Sequence, residues 1–156
     1  MRVVRSPSPP EDVDHPALFL FMAGGITGTP RWQLDLLKLL RDGPNMLVVL
    51  DPRRDNFDTS DASLFHEQIE WEFSAIEISH GMSFWFPAES VCPIALFELG
   101  QATMCEDHLF VGCDPSYPRR ADVVKQLSLC RRDGFEVQVR DSLGDLAQDI
   151  LKWSDQ

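Results

Sequence analysis

Ala17-Leu18-Phe19-Leu20-Phe21-Met22-Ala23-Gly24-Gly25-Ile26-Thr27-Gly28-Thr29-Pro30 begins as an unbroken apolar run and closes on three glycines and a proline. A short run without polar alternation is the mark of a strand covered on both faces, as in a parallel sheet. Pro30 suits the first turn of a helix. The following Trp32-Gln33-Leu34-Asp35-Leu36-Leu37-Lys38-Leu39-Leu40 is amphipathic at helical spacing and stops at Gly43. A second continuous run, Met46-Leu47-Val48-Val49-Leu50, comes next. Strand, glycine loop, helix and strand in this order form a βαβ unit, which sets the parallel sheet and its right-handed crossover.

The same alternation continues outward. Apolar runs recur at Ser83-Phe84-Trp85-Phe86, Leu109-Phe110-Val111-Gly112 and Phe135-Glu136-Val137-Gln138-Val139. The last alternates, as an edge strand does. Helical stretches are read at Ala62 to Ile78, from Pro93, at Ala121 to Arg132 and at Leu143 to Trp153. The predicted fold is α/β: one doubly wound, flavodoxin- or Rossmann-like domain with a mainly parallel five-stranded sheet. Residues 1–15 carry Pro7, Pro9, Pro10 and acids, and are read as a flexible arm preceding a domain at 16–156.

Composition narrows the function. Hydrophobic residues are 44% and charged ones 25% of 156, and the net charge is -11. Such a field repels phosphate backbones, so nucleic acid is not expected as a partner. No apolar run approaches the roughly 20 residues that span a bilayer, and no secretory leader is read at the start. Four cysteines without a CxxC pair and four scattered histidines point to a reduced, cytoplasmic protein without metal or other cofactor.

Ligands of doubly wound sheets bind beyond the carboxyl ends of the strands, so the loops there hold the candidate residues. Gly24, Gly25 and Ile26 free the backbone for close approach to a ligand, or simply make a tight turn. The spacing is not GxGxxG, which excludes a dinucleotide fingerprint. Asp51-Pro52-Arg53-Arg54-Asp55-Asn56-Phe57-Asp58 offers both charges and an aromatic ring, or a solvated, self-compensating loop. In the second helix Glu67, Glu70 and Trp71 sit within one turn. Glu98 lies in Pro93-Ile94-Ala95-Leu96-Phe97-Glu98-Leu99-Gly100, where an acid among apolar neighbours is either functional with a raised pKa or on the solvent face.

Together, Phe21 to Gly28, Asp51-Pro52-Arg53-Arg54 with Asn56-Phe57, Glu67-Gln68-Ile69-Glu70-Trp71-Glu72, Phe84-Trp85-Phe86-Pro87, Glu89, Cys92-Pro93-Ile94 and Glu98-Leu99-Gly100 resemble the nucleoside 2-deoxyribosyltransferase family, in its AGGITG and ELG branch. The resemblance implies that Glu98 is the nucleophile of a retaining N-glycosidic cleavage, forming a covalent glycosyl-enzyme and passing 2-deoxyribose to another base. It implies substrate contacts from Gly24, Gly25, Ile26, Asp51, Arg53, Asn56, Phe57, Glu67, Trp71, Trp85, Glu89 and Cys92. Ser79-His80 stands where the family carries Ala-Asp, which makes His80 the candidate for proton exchange with the base. Cys92 stands where family members carry Asp or Ser, and the family's early tyrosine is missing near Leu20 and Phe21. Nucleosides or nucleotides and free nucleobases are the implied partners, together with a homo-oligomer. Two further readings stay open. One is hydrolysis of nucleosides or 5′-monophosphates, with Arg53, Arg54, Arg119 and Arg120 as phosphate contacts; the other is a binding module without turnover.

Overall fold

A computed structural model of the chain describes residues 1–10, 17–55, 57, 60–105, 108–130 and 136–156. Its first strand lies within the segment read as an arm. Arg2–Arg5 (β1) pairs in parallel with Leu47–Asp51 (β3), from Arg2 opposite Val48 to Arg5 opposite Asp51. An edge strand needs a partner on one side only, so two valines and the Arg5 to Asp51 ion pair at 2.9 Å hold it. The expectation of a flexible arm is therefore corrected for the start of the chain; residues 11–15 lie outside the described ones.

Leu18–Gly24 (β2) runs between β3 and Gly81–Phe86 (β4), followed by Leu109–Cys113 (β5) and Val139–Arg140 (β6). The strand order is β1-β3-β2-β4-β5-β6 and the pairings are all parallel, giving six strands where the sequence reading has five. The added strand is β1. The alternating run read at Phe135 to Val139 pairs only at its end, where Val139 meets Val111 at the sheet edge; Phe135 lies outside the described residues.

Helices fill the crossovers: Trp32–Leu40 (α1), Ala62–Glu77 (α2), Pro93–Cys105 (α3), Arg120–Leu129 (α4) and Leu143–Ser154 (α5). Asp61 caps α2 by accepting from the N–H groups of Ser63 and Leu64, and Ser142 caps α5 through Asp145. Alternate residues of β2 serve opposite faces. Leu20 and Met22 pack with Trp32, Leu36, Leu40, Leu146 and Ile150 of α1 and α5. Phe19, Phe21 and Ala23 pack with Trp71, Ala75, Ala95, Leu99, Val123 and Leu127 of α2, α3 and α4. A strand buried on both sides in this way cannot show polar alternation, which is why the runs read as continuous.

One point of this topology places a site. The chain leaves β2 in one direction to reach β3, then returns past β2 to β4. The connections diverge there, and a crevice opens beyond the carboxyl ends of β2 and β4. Gly24 closes β2 at φ 148°, a conformation natural only to glycine, and a Cβ there would stand 2.3 Å from the Trp85 carbonyl oxygen.

Candidate active site

A cavity of about 400 Å³ occupies this crevice. The loop after β2 supplies Gly24, Gly25, Ile26 and Thr27; the loop after β3 supplies Pro52, Arg54 and Phe57. From α2 come Phe65, Gln68, Ile69 and Glu72, and from the β4–α3 segment Ser90, Cys92, Ile94, Ala95 and Glu98. The lining is mainly apolar with a few convergent polar groups, the usual make-up of a small-molecule site.

Two carboxyl groups share it. Burial, and secondarily the negative charge of Glu72, push Glu98 up to about 8 from an ordinary 4.5. Burial also raises Glu72, opposed by a hydrogen bond from Gln68 and by the charge of Arg54. Both carboxyl groups are thus held above the ordinary carboxylate range, Glu98 the further of the two.

The Glu72 side is held by a chain of hydrogen bonds that begins just after β1. The Ser6 hydroxyl donates to Gln68 Oε1 at 2.9 Å and accepts from Arg54 Nε at 2.8 Å. Gln68 Nε2 donates to Glu72 Oε1 at 2.7 Å and to the Pro52 carbonyl at 2.8 Å. Arg54 Nη1 donates to Glu67 at 2.7 Å, and its guanidinium lies 5.7 Å from the centre of the Phe57 ring. Arg54 Nη2 is buried and has no partner among the described residues.

The β2 loop is set with equal care. The Gly25 carbonyl accepts from Trp32 Nε1 at 2.7 Å and from the Thr29 hydroxyl at 2.9 Å. Cys92 has φ 51°, uncommon for a residue with a side chain, and its N–H donates to the Ser90 hydroxyl at 3.3 Å. Burial raises its thiol, which keeps it neutral at the cavity wall.

Gly24, Gly25, Ile26, Phe57, Cys92 and Glu98 thus converge as the sequence reading expects. Others do not, and their partners say why. His80 stands before β4, at the amino end of the strand, roughly 20 Å along it from the site end. Its Nδ1 accepts the Phe19 N–H at 3.0 Å and its ring stacks on Phe19, so it pins the opposite end of the sheet. Trp85 packs with α1 and α5 on the far face of the sheet. Trp71 is core, with Nε1 donating to the Ser8 carbonyl at 2.6 Å. Buried Asp51 accepts from Arg5 Nε and the Arg53 N–H, and Arg53 clamps the β2 loop through Pro30, Thr29 and Gln33. Glu67 faces Arg54, and Glu89 is exposed outside the lining. Asn56 lies outside the described residues. Of the four arginines considered for phosphate, Arg54 alone lines the cavity; Arg119 pairs with Asp122 and Arg120 with Asp141.

Sequence reasoning missed Glu72 and Gln68. The signal is their i, i+4 spacing, in phase with Phe65 and Ile69 on the face of α2 that lines the cavity.

A family model described as nucleoside 2-deoxyribosyltransferase like matches residues 18–117. That span runs from the first residue of β2 to Tyr117, just short of α4, and takes in every lining residue of the cavity. The chain belongs to the nucleoside 2-deoxyribosyltransferase like family. No curated protein matches it. Membership points to a nucleoside-processing enzyme, with nucleosides and nucleobases as its ligands. Ser6, which anchors Arg54 and Gln68, lies outside the matched span, directly after β1. No helix among the described residues is long and apolar enough to cross a membrane.

Proposed function

We propose that the chain cleaves the N-glycosidic bond of a 2′-deoxynucleoside through a covalent glycosyl-Glu98 intermediate and passes the 2-deoxyribosyl group to a second nucleobase. The observation that carries this reading is the pair Glu72 and Glu98 facing one largely apolar cavity at the switch point of the sheet. Retaining glycosyl transfer needs two carboxyl groups in opposite protonation states, one to attack and one to donate.

Glu98 in its ionised form attacks C1′, the bond from C1′ to the base nitrogen breaks, and its electron pair leaves with the base. The Glu72 carboxyl gives that base its proton. An incoming base then attacks C1′ through a ring nitrogen, Glu98 departs, and the proton that the base loses returns to Glu72. Two inversions leave the sugar's configuration unchanged. In the protein alone, the Gln68 hydrogen bond and the charge of Arg54 favour the ionised form of Glu72, while Glu98, pushed up to about 8 by burial, holds its proton near neutrality. Positive charge developing at the anomeric carbon beside Glu98 favours the reverse arrangement, which is the reactive one.

Water in place of the second base would make the same site a hydrolase, and one assay separates the two. Incubation with a 2′-deoxynucleoside and a different free base is expected to yield the exchanged nucleoside, and Glu98→Gln to abolish it. Base release without exchange would replace transfer by hydrolysis. No product with any nucleoside and base would overturn the proposal.

Assembly into a homo-oligomer forms part of the proposal. Phe65, Ile69 and Phe73 form an exposed stripe on α2, with Phe97 and Met104 exposed on α3. Phe65 and Ile69 belong also to the cavity wall, so a copy seated there would finish it. Light scattering is expected to give a mass of at least two chains; a monomer at micromolar concentration would contradict it. A cytoplasmic setting forms part of the same proposal, in keeping with four cysteines that include no CxxC pair.

A further inference from the structure

We infer that Arg54 reads the leaving base, and that the site takes bases presenting a carbonyl oxygen beside the nitrogen that is protonated, as O6 stands beside N7 in a 6-oxopurine. The inference rests on the proposed glycosyl transfer, which assigns Glu72 to the base and Glu98 to the sugar. It starts from the buried Nη2 of Arg54, which has no partner among the described residues. The Arg54 side chain is only 8% exposed and lines the cavity. Its other two nitrogens are committed to Ser6 and Glu67, so the guanidinium is fixed and the remaining N–H groups are left for a ligand. A buried donor left unpaired is costly, and a ligand acceptor removes that cost.

Three observations say which ligand. First, Gln68 donates to Glu72 and shares the Ser6 hydroxyl with Arg54, so Arg54 belongs to the Glu72 side of the cavity. Second, the surroundings suit a flat ring: Phe57 lies under the guanidinium, and Phe65 and Ile69 belong to the same wall. Third, the charge balance disfavours phosphate. Glu67 already pairs with Arg54, and Glu72 and Glu98 line the same space, so a dianion would meet two acids and one paired cation. A neutral carbonyl oxygen accepts from Nη2 without that repulsion.

The base edge supplies the discrimination. Guanine and hypoxanthine present N7 and O6, both acceptors, whereas adenine presents N7 beside the N6 amino donor. With the Glu72 proton directed at N7, Nη2 meets O6 in the first case and another donor in the second. A site built around a hydrogen bond rejects the analogue that cannot make it.

Free hypoxanthine and free adenine, titrated calorimetrically into the full chain, test this directly. Hypoxanthine is expected to bind tighter by about ten- to a hundredfold. Arg54→Met is expected to shrink the gap to about threefold or less, and Ser6→Ala to narrow it by loosening Arg54. Circular dichroism checks the fold of both variants. Equal affinity of the unaltered protein for the two bases would overturn the inference, whatever the variants do. So would an equal loss for both bases in Arg54→Met, or a loss confined to nucleoside 5′-monophosphates, which would make Arg54 a phosphate contact. Cleavage of deoxyinosine and deoxyadenosine is followed in parallel. Discrimination in binding without cleavage would sink the proposed reaction alone, and cleavage without discrimination would sink the role of Arg54 alone.

Discussion

Replacing Glu98 by glutamine should make the protein more stable at neutral and alkaline pH while removing its activity. The amide has nearly the shape of the carboxyl group and no titration. Burial and the charge of Glu72 raise Glu98 from 4.5 to about 8, so the folded state binds its proton more tightly than the unfolded chain does. The sign follows from that difference. Below pH 4.5 the group is neutral in both states, and the variant and parent should be alike. As pH rises from 4.5 to 8 the unfolded chain ionises first, and the parent loses stability relative to the variant. Above 8 both states are ionised and the gap is constant. Moving from 4.5 to about 8 corresponds, at about 1.4 kcal/mol per pH unit, to about 5 kcal/mol as a ceiling. Water reaching the carboxyl through the cavity mouth screens the charge, and the expected plateau is about 2 to 3 kcal/mol. Against the roughly 5–15 kcal/mol of a typical domain, that is a large fraction. Urea denaturation of both proteins at intervals from pH 4 to 9 measures it. A stability difference that does not change with pH would refute the reasoning, because it would mean that Glu98 ionises as freely in the fold as outside it.

The other expectations concern the same cavity. Glu72→Gln should lower turnover of ordinary deoxynucleosides by about 10²- to 10⁴-fold in steady-state assays, with a smaller loss for a 5-fluorinated pyrimidine, whose base leaves with less need of a proton. An equal loss for both substrates would remove Glu72 as the donor. The profile of kcat/KM against pH should be bell-shaped: at low pH both carboxyls are protonated and no nucleophile exists, and above about 8 the pair loses its last proton. A profile still rising beyond pH 9 would contradict the need for a proton in the cavity. Gly24→Ala should cost about 3 kcal/mol or more, since its Cβ would stand 2.3 Å from a backbone oxygen and 2.7 Å from the Trp32 ring. A melting temperature equal to the parent's would show that the loop relaxes freely.

The parts legible in the sequence are those that local composition decides. Leu18 to Met22 and Leu47 to Leu50 are apolar throughout because both faces of the sheet are covered, and the helical spacing of Trp32 to Leu40 marks the helix between them. The first strand was not legible. Val3 and Val4 between two arginines, followed by prolines, carry too little apolar signal to mark an edge strand, which depends on its partner β3. Glu98 stood out as an acid in a helix that is apolar on every side. Glu72 did not, because Glu67, Glu70 and Glu72 all fit an amphipathic helix, and only the packing of α2 against the sheet decides which one enters the cavity. His80 misled for the complementary reason: its place in the chain, just before a strand, matched a motif, while the direction of the strand puts it at the end away from the site. Trp85 failed by parity alone, since successive strand residues point to opposite faces and its ring serves the α1 and α5 side.

The central claim is that Glu98 forms a bond to the sugar. The most direct measurement is to mix the protein with a 2′-deoxynucleoside in the absence of acceptor base, quench in acid, and locate any added mass by peptide mapping. The reaction described here predicts one added 2-deoxyribosyl group on Glu98, formed with release of one equivalent of base, lost on addition of a second base, and missing from Glu98→Gln. Steady base release with Glu98 unmodified under every quench condition, or an adduct on another residue, would contradict it.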